Sequence, residues 1–276
     1  AWSHSRVGLF DQCPLAYRYR YLDGVSDAFT TIEQHLGQVV HDVLEQAYAE
    51  RSRGSPVDER WMTAAFERLW RAGDPESQRV VKRGLTADDY RLEGLAMVSG
   101  YHGRVFAGDA SETLGLELRF SLDLDPGGHA WAGVIDRLAR LGDGTPCIID
   151  YKTGRSVPDP RTDRQLQSYA LHVFAEHRAE RVALRIEGLR VGAAFTADFP
   201  ASRAGEVRSH LLARIGEIEA ASSWPARPCS STPVTCTRRC RRPWRWPPAC
   251  CAWSERPAPE GPRSPPSRRE RSRGCT

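Results

Sequence analysis

The spacing of hydrophobic residues changes along the chain, from recurrence every three or four positions to alternation and back again. The first spacing is typical of amphipathic helices, and alternation is typical of half-buried strands. Helical spacing predicts helices over 33–51, 57–70, 87–106, 164–180 and 204–221. Alternation predicts strands over 114–124, 132–140, 146–152, 181–190 and 191–199. A further short helix is predicted near the start, with Ser5 as its N-cap before Val7.

Two turn signals predict how the first three strands pair. The glycines at 142 and 144 predict a hairpin in which Asp136 faces Asp150. The Pro-Gly turn at 126–127 predicts a second hairpin, in which Glu117 faces Asp136. Like charges directly opposite each other destabilise a sheet, whereas Mg²⁺ binds carboxylate oxygens. This acidic row therefore indicates a divalent cation. A solvated hairpin with scattered charges is the alternative interpretation.

Lys152 extends the acidic row. It lies two positions after Asp150 on the same predicted strand, so both side chains leave the same face of the sheet. The chain has only two lysines, Lys82 and Lys152, among its 39 basic residues. An ammonium beside a metal site can orient an attacking water and stabilise developing negative charge. We therefore expect Lys152 to be catalytic.

Two predicted helices carry further polar candidates. His41 shares a face of the 33–51 helix with Gly37 and Glu45, because these residues are four positions apart. A histidine in such a position is more often part of the core than a metal ligand. Gln165 and Tyr169 share a face of the 164–180 helix. Ordinary surface polarity would explain that second pair equally well.

Near the start, the run Y-R-Y-R-Y places Arg18 and Arg20 between tyrosines. Alternating basic and aromatic residues suit contact with a nucleic-acid backbone and stacking on bases. The alternative is a helix that buries Leu15, Tyr19 and Leu22 and leaves both arginines in solvent. The run alone does not separate these interpretations.

The net charge of +4 is unevenly distributed. Residues 224–276 contain twelve Arg and three Glu, a net of +9, so the first 223 residues carry about −5. Overall basicity therefore gives no argument for nucleic-acid binding. No apolar run is long enough to span a membrane, and no signal peptide is evident. We expect a cytoplasmic protein that does not bind membranes.

Residues 224–276 differ in composition from the rest of the chain. They lack Leu, Ile, Phe, Tyr and Met, which predicts a disordered tail, and they hold six of the eight cysteines. Among these, Cys229, Cys236 and Cys240 have a spacing that is only weakly indicative of a metal site. The remainder, 1–223, is expected to form one domain, with 54–108 as a helical insertion that packs on the sheet.

Six motifs occur in order along this domain: S-x-S-R followed by F-x-x-C-P, G-x-x-x-H-x-x-L-E, Glu117, G-x-I-D-R, I-I-D-Y-K-T-G and Q-x-x-x-Y. In this order the chain resembles the PD-(D/E)XK nuclease superfamily, in its RecB-family exonuclease branch, which includes CRISPR-associated exonucleases. The resemblance covers about residues 3–222. The D-Y-K-T-G element after an I-D-R strand is its most specific part.

The resemblance implies an α/β fold with a mixed central β-sheet flanked by helices, and a metal site where the strands splay apart. Asp136, Asp150, His41 and the carbonyl of Tyr151 would hold Mg²⁺ or Mn²⁺. Lys152 would activate the hydrolytic water, and Glu117 would lie near the metal. The residues expected to line the DNA channel are Gln165 and Tyr169, beside Arg18 and Arg20 from the basic run.

The implied function is a metal-dependent DNA exonuclease acting on single-stranded or duplex ends in repair or recombination. A CRISPR adaptation nuclease is a related alternative. A nucleic-acid-binding module that does not cut, or an unrelated hydrolase with the same carboxylates, belongs to another class. No P-loop occurs in the chain, so any helicase would be a separate partner, as would a CRISPR partner.

Some members of this family hold a [4Fe–4S] cluster through four cysteines. Cys13 lies at the matching first position, and Cys229, Cys236 and Cys240 are the other candidates, but their spacing departs from the pattern. We interpret the unusual tail as a slip of the coding frame near residue 224. In that case the cluster would be lost. A natural disordered tail is the alternative.

Overall fold

The computed structural model describes residues 1–25 and 29–221. Its centre is a five-stranded sheet with the order β1-β2-β3-β4-β5. The strands are β1 (Glu112–Asp123), β2 (Ala130–Arg140), β3 (Pro146–Lys152), β4 (Arg181–Gly188) and β5 (Ala193–Pro200). β3 and β4 pair in parallel, and every other neighbouring pair is antiparallel. The expected mixed sheet flanked by helices is therefore confirmed.

Both predicted hairpin registers are confirmed, but the acidic row is not a regular ladder. Leu116 pairs with Arg137 in the first hairpin, and Arg137 pairs with Ile149 in the second. The β2–β3 ladder ends at that last pair, one residue before Asp136 would meet Asp150. The strands diverge there. This divergence leaves main-chain groups at the end of β3 available for other partners.

The helices follow the predicted order with small shifts at their ends. They are α1 (His4–Gln12), α2 (Pro14–Tyr17), α3 (Ile32–Ser52), α4 (Glu59–Ala72), α5 (Ala87–Arg104), α6 (Arg164–His177) and α7 (Ala204–Ala220). Capping boxes start two of the long helices, at Thr31 for α3 and Thr86 for α5. The predicted cap Ser5 is wrong, because Ser3 is the residue whose hydroxyl accepts the amide of Arg6.

Two apolar cores lie on opposite faces of the sheet. One is formed with α1, α6 and α7 and includes Trp131, Leu166 and Ile186. The other is formed with α3, α4 and α5 and includes Val40 and Phe66. The helices of the 54–108 segment thus bury their apolar faces against α3 and the sheet. Burial of this apolar surface is the main force that holds the strands and helices in place.

The aromatic and basic run forms the end of α2 and a π-helical turn, Arg18–Leu22. The helical alternative is closer to the structure, but with different buried residues. Leu15 and Tyr17 are buried, whereas Leu22 is 52 % exposed. Tyr17 packs edge-on against Phe10, so its ring is not available for stacking on a base.

Several predictions concern residues outside the described part of the chain. These are the disordered tail over 224–276 and the cysteines Cys229, Cys236 and Cys240. Within residues 1–25 and 29–221, no helix is both long enough and apolar enough to cross a lipid bilayer.

Candidate functional site

The main chain of Tyr151 lies at the point where β2 and β3 separate. Its amide donates a hydrogen bond of 2.8 Å to Asp136 Oδ2. Its carbonyl accepts one of 2.9 Å from His41 Nε2, a residue of α3. A side chain from the neighbouring strand and one from a helix therefore satisfy the two groups that the ladder leaves unpaired.

The hydrogen bond to Tyr151 fixes the orientation of the His41 ring. A carbonyl can only accept, so Nε2 carries the hydrogen and Nδ1 points the other way. Nδ1 lies 3.6 Å from Asp136 Oδ2 and 3.9 Å from Glu117 Oε1. A nitrogen and two carboxylates from α3, β1 and β2 thus meet in one place.

Glu117 reaches this place because its backbone is left-handed, with φ of 42°. The register of β1 is regular on both sides, since Leu116 and Leu118 pair with Arg137 and Ile135. Glu117 itself takes no place in the ladder. A non-glycine residue in this conformation costs on the order of 1–2 kcal/mol. Strain of this kind is common where a structure must aim a side chain at a functional site.

Asp150 and Lys152 form an ion pair beside the cluster. Lys152 Nζ donates to Asp150 Oδ1 at 3.0 Å and also to Gln165 Oε1 at 3.4 Å. Gln165 Nε2 in turn donates to the hydroxyl of Tyr169 at 3.0 Å. The predicted pair on α6 therefore supports Lys152 through hydrogen bonds. This connection was not evident from the sequence.

Tyr169 can reach this position because residue 133 of β2 is a glycine. A Cβ at Gly133 would lie 2.5 Å from Tyr169 Cε1 and 2.8 Å from the ring of Phe120. The glycine of G-x-I-D-R is therefore required by close packing of two aromatic rings. The same motif thus contributes a carboxylate to the site and makes room for the residue that supports Lys152.

The side chain of Tyr151 leaves the sheet on the opposite face. Its hydroxyl lies 3.3 Å from that of Tyr101, which lies 2.8 Å from that of Tyr48. Tyr48 donates to Asp109 Oδ2 at 2.8 Å, and Arg137 pairs with the same oxygen at 2.7 Å. Arg137 is only 1 % exposed, so the last residue of I-D-R is a buried structural cation.

The similarity to a known protein family covers most of the chain and not only the residues of the site. A family model of the PD-(D/E)XK nuclease superfamily matches residues 1–245. The chain belongs to the PD-(D/E)XK nuclease superfamily. Membership indicates a nuclease and implies a nucleic-acid substrate. No curated protein matches the chain.

Among solved structures, the crystal structure of SSO0001 is similar at 17 % identity. The similarity covers 76 % of this chain and 86 % of that chain, with a TM-score of 0.31. A TM-score of this size does not establish a common fold. The assignment to the PD-(D/E)XK superfamily therefore depends on the family model alone.

PD-(D/E)XK nucleases use divalent metals, and the residues present here fit one. One donor atom each from His41, Glu117 and Asp136 lies within 4.8 Å of the others. Asp150 Oδ2 is buried, and the ammonium of Lys152 lies 2.7 Å from it. Carboxylate oxygens suit hard cations such as Mg²⁺ and Mn²⁺, and an imidazole nitrogen suits transition metals.

The electrostatics of the nuclease site reflect this crowding of acids. Burial raises the pKa of Asp136 to about 6, with Asp150 and Glu117 adding to the effect and His41 opposing it. Burial also raises the pKa of Asp150, against the opposing charge of Lys152. A divalent cation would reverse both shifts, because it favours the ionised carboxylates.

Burial has the opposite effect on the pKa values of the two basic groups of the nuclease site, His41 and Lys152. Burial lowers the pKa of His41, but the charges of the nearby carboxylates outweigh burial, and the pKa is raised. Burial likewise lowers the pKa of Lys152, and Asp150 outweighs it. Lys152 therefore keeps its proton at neutral pH. The ammonium can donate hydrogen bonds and supply positive charge beside the carboxylates.

Three further predicted site residues are in or next to the first helices of the chain, namely Arg18, Arg20 and Cys13. Arg18 forms an ion pair of 3.2 Å with Asp23, and Arg20 is exposed in the same turn. Cys13 is buried at the end of α1. The structure thus brings together the carboxylates, His41, Lys152, Gln165 and Tyr169, while Arg18, Arg20 and Cys13 remain predictions from the sequence.

We expect Glu117→Gly and Glu117→Ala to lose the carboxylate equally but to differ in stability. Glycine adopts a positive φ without strain, so the Gly variant should be more stable than the Ala variant by about 1 kcal/mol. Chemical denaturation with EDTA present measures this difference. The same pair of substitutions at Leu118, where the backbone is regular, is the control and should favour Ala. An Ala variant at least as stable as the Gly variant at 117 would contradict strain there.

Proposed function

We propose that this chain is a divalent-metal-dependent DNA exonuclease that acts in repair or recombination. The observation that carries the proposal is the meeting of His41, Glu117 and Asp136 beside the Asp150–Lys152 pair. A cation site next to a protonated lysine is suited to hydrolysis of a phosphodiester, whose transition state gains negative charge. The order of the motifs supports the exonuclease assignment and DNA as substrate.

The carboxylates and the imidazole would hold the ion, which when bound supplies Lewis acidity and a water of lowered pKa. Lys152 places its ammonium next to the scissile phosphate and offsets the charge that develops on its oxygens. Both oxygens of Asp150 lie within 3.0 Å of the Lys152 ammonium, so Asp150 would hold Lys152 in place and also offer a carboxylate oxygen to the ion. Gln165 holds the ammonium from the other side.

The test is degradation of end-labelled DNA by the wild-type chain in Mg²⁺, Mn²⁺ or EDTA. Linear single-stranded and duplex DNA are compared with covalently closed circles of the same sequence and with matched RNA. An exonuclease that needs metal should degrade the linear DNA, spare the circles and stop in EDTA. Labels at the 5′ or the 3′ end give the polarity.

Other outcomes would replace the proposal. Cutting of closed circles would indicate an endonuclease, and preference for RNA would change the substrate. Binding of DNA without cleavage in any metal would favour the non-cutting module. Integration or trimming of short duplex fragments only together with CRISPR partner proteins would favour the adaptation nuclease.

A further inference from the structure

A concave feature lies at the same end of the sheet as the cluster of His41, Glu117 and Asp136, which we refer to as the metal-binding cluster. It is a cleft of about 360 Å³ between α5 and the turn that joins β4 to β5. Its polar lining comes from Glu93, Arg104, Arg155 and Arg190. None of these four residues belongs to the site described above. We refer to this feature as the arginine cleft.

The wall of the arginine cleft is attached to the strand that carries Lys152. Leu189 N donates to the carbonyl of Lys152 at 2.9 Å, and Arg190 Nε donates to the carbonyl of Thr153 at 2.8 Å. Arg155 follows two residues later in the chain. The cleft therefore lies just beyond the carboxyl ends of the parallel strands β3 and β4, where α/β sheets commonly bind ligands.

Charge in the arginine cleft is strongly biased toward positive. Three guanidinium groups face a single carboxylate, Glu93, which accepts hydrogen bonds from both Arg190 and Arg155. Arg190 is held firmly, with its side chain only 14 % exposed. The cleft thus has a net charge of +2, although the first 223 residues together carry about −5.

Arg104 is the arginine of the cleft whose hydrogen-bond donors are not used by other described residues. It is exposed in the last turn of α5 and forms no ion pair or hydrogen bond with any residue in the described ranges. Its guanidinium nitrogen lies near Gly192, since a Cβ there would be 3.3 Å from Arg104 Nη1. The group therefore lies over the cleft and keeps its donors for a ligand.

We propose that the arginine cleft binds a backbone phosphate of the substrate strand, away from the bond that is cut. This inference depends on the proposed function for its substrate. The guanidinium fork matches phosphate oxygens, and Glu93 holds Arg190, the least exposed of the three arginines, in position. Every nucleotide carries a phosphate, so a strand with one phosphate at the cluster of His41, Glu117 and Asp136 offers others to a neighbouring cationic cleft.

The test measures affinity for a fluorescent single-stranded oligodeoxynucleotide in EDTA, as a function of NaCl concentration. Each phosphate contact contributes about 0.7 to the slope of log K against log salt for single strands. Arg104→Gln should lower the slope by about that amount and weaken binding severalfold at low salt. Arg104→Lys keeps the charge and should retain the wild-type slope. Arg60→Gln is the control, because Arg60 is an exposed arginine of α4 outside the cleft.

Equal slopes for wild type, Arg104→Gln and Arg60→Gln would overturn the proposal, as would a wild-type chain whose binding does not depend on salt. Circular dichroism confirms that the variants are folded. The experiment needs no cleavage, so it separates the two proposals. If the wild-type enzyme cleaves DNA but Arg104→Gln leaves the salt slope unchanged, only the proposal for the arginine cleft is contradicted. If the enzyme does not cleave DNA but Arg104→Gln lowers the slope, only the exonuclease proposal is contradicted.

Discussion

Lys152→Ala should lower the rate of DNA cleavage by roughly 10²–10³-fold, with little change in affinity for DNA. The ammonium is held between Asp150 and Gln165, and in the proposed mechanism it stabilises the charge that develops in the transition state. Removal of one such donor acts on kcat rather than on KM. Release of nucleotides from labelled linear DNA at saturating Mg²⁺ measures both parameters.

The matched control is the only other lysine in the chain. Lys82 is half exposed and lies 3.9 Å from Glu33, far along the sequence from the site. Lys82→Ala should leave cleavage within about twofold of wild type. Lys152→Arg should not restore the rate, since a planar guanidinium does not replace a compact ammonium. Equal rates for the two alanine variants would remove Lys152 from the mechanism.

Asp136→Asn should abolish cleavage, by roughly 10³-fold or more, while it stabilises the metal-free protein. The folded-state pKa of about 6 lies above the ordinary value of 3.8, so the folded state binds the proton more tightly. Stability contributed by this group is therefore present below pH 4 and is lost as pH rises to about 6. The asparagine removes that loss, which we expect to be on the order of 1–3 kcal/mol at pH 8.

Urea denaturation in EDTA, from pH 4 to pH 8, measures the free energy of unfolding of both proteins. The free energy of unfolding of the variant should increase relative to that of wild type as pH rises, because only wild type carries the titrating carboxyl. Added Mg²⁺ should stabilise wild type by mass action and leave the variant unchanged. Asp123→Asn, on an exposed position at the end of β1, should keep both cleavage and metal stabilisation. A constant difference in stability across this pH range would contradict the raised pKa of Asp136.

The parts of the fold that were predictable depend on local rules. Turn residues at 142–144 and 126–127 determine the two hairpin registers, and these registers bring Glu117, Asp136 and the end of β3 together. Helical spacing identified α3 and α6, which carry His41 and Gln165. The sequence therefore predicted which elements meet, because short loops and side-chain period restrict how strands and helices can pack.

The remaining features depend on geometry that hydrophobic spacing does not encode. The left-handed backbone at Glu117 and the divergence of β2 from β3 at Asp136 are properties of the assembled sheet. Interpreting Ser5 as a cap was wrong by two residues, since Ser3 and Ser5 are both good capping residues. The segment 54–108 carried no chemical signal, yet α5 supplies Glu93 and Arg104 to a cleft whose other wall is about 90 residues later in the chain.

Tyr151 belongs to two parts of the molecule at once. Its peptide groups hold Asp136 and His41, while its phenol ends a buried hydrogen-bonded chain through Tyr101 and Tyr48 on the other face of the sheet. The two peptide planes that meet at the Cα of Tyr151 join this chain to the contacts with Asp136 and His41, so we expect a shift of the chain to alter the geometry of the cluster. An engineer who wished to retune the ion preference, without altering any ligand, would therefore begin with Tyr48 and Tyr101.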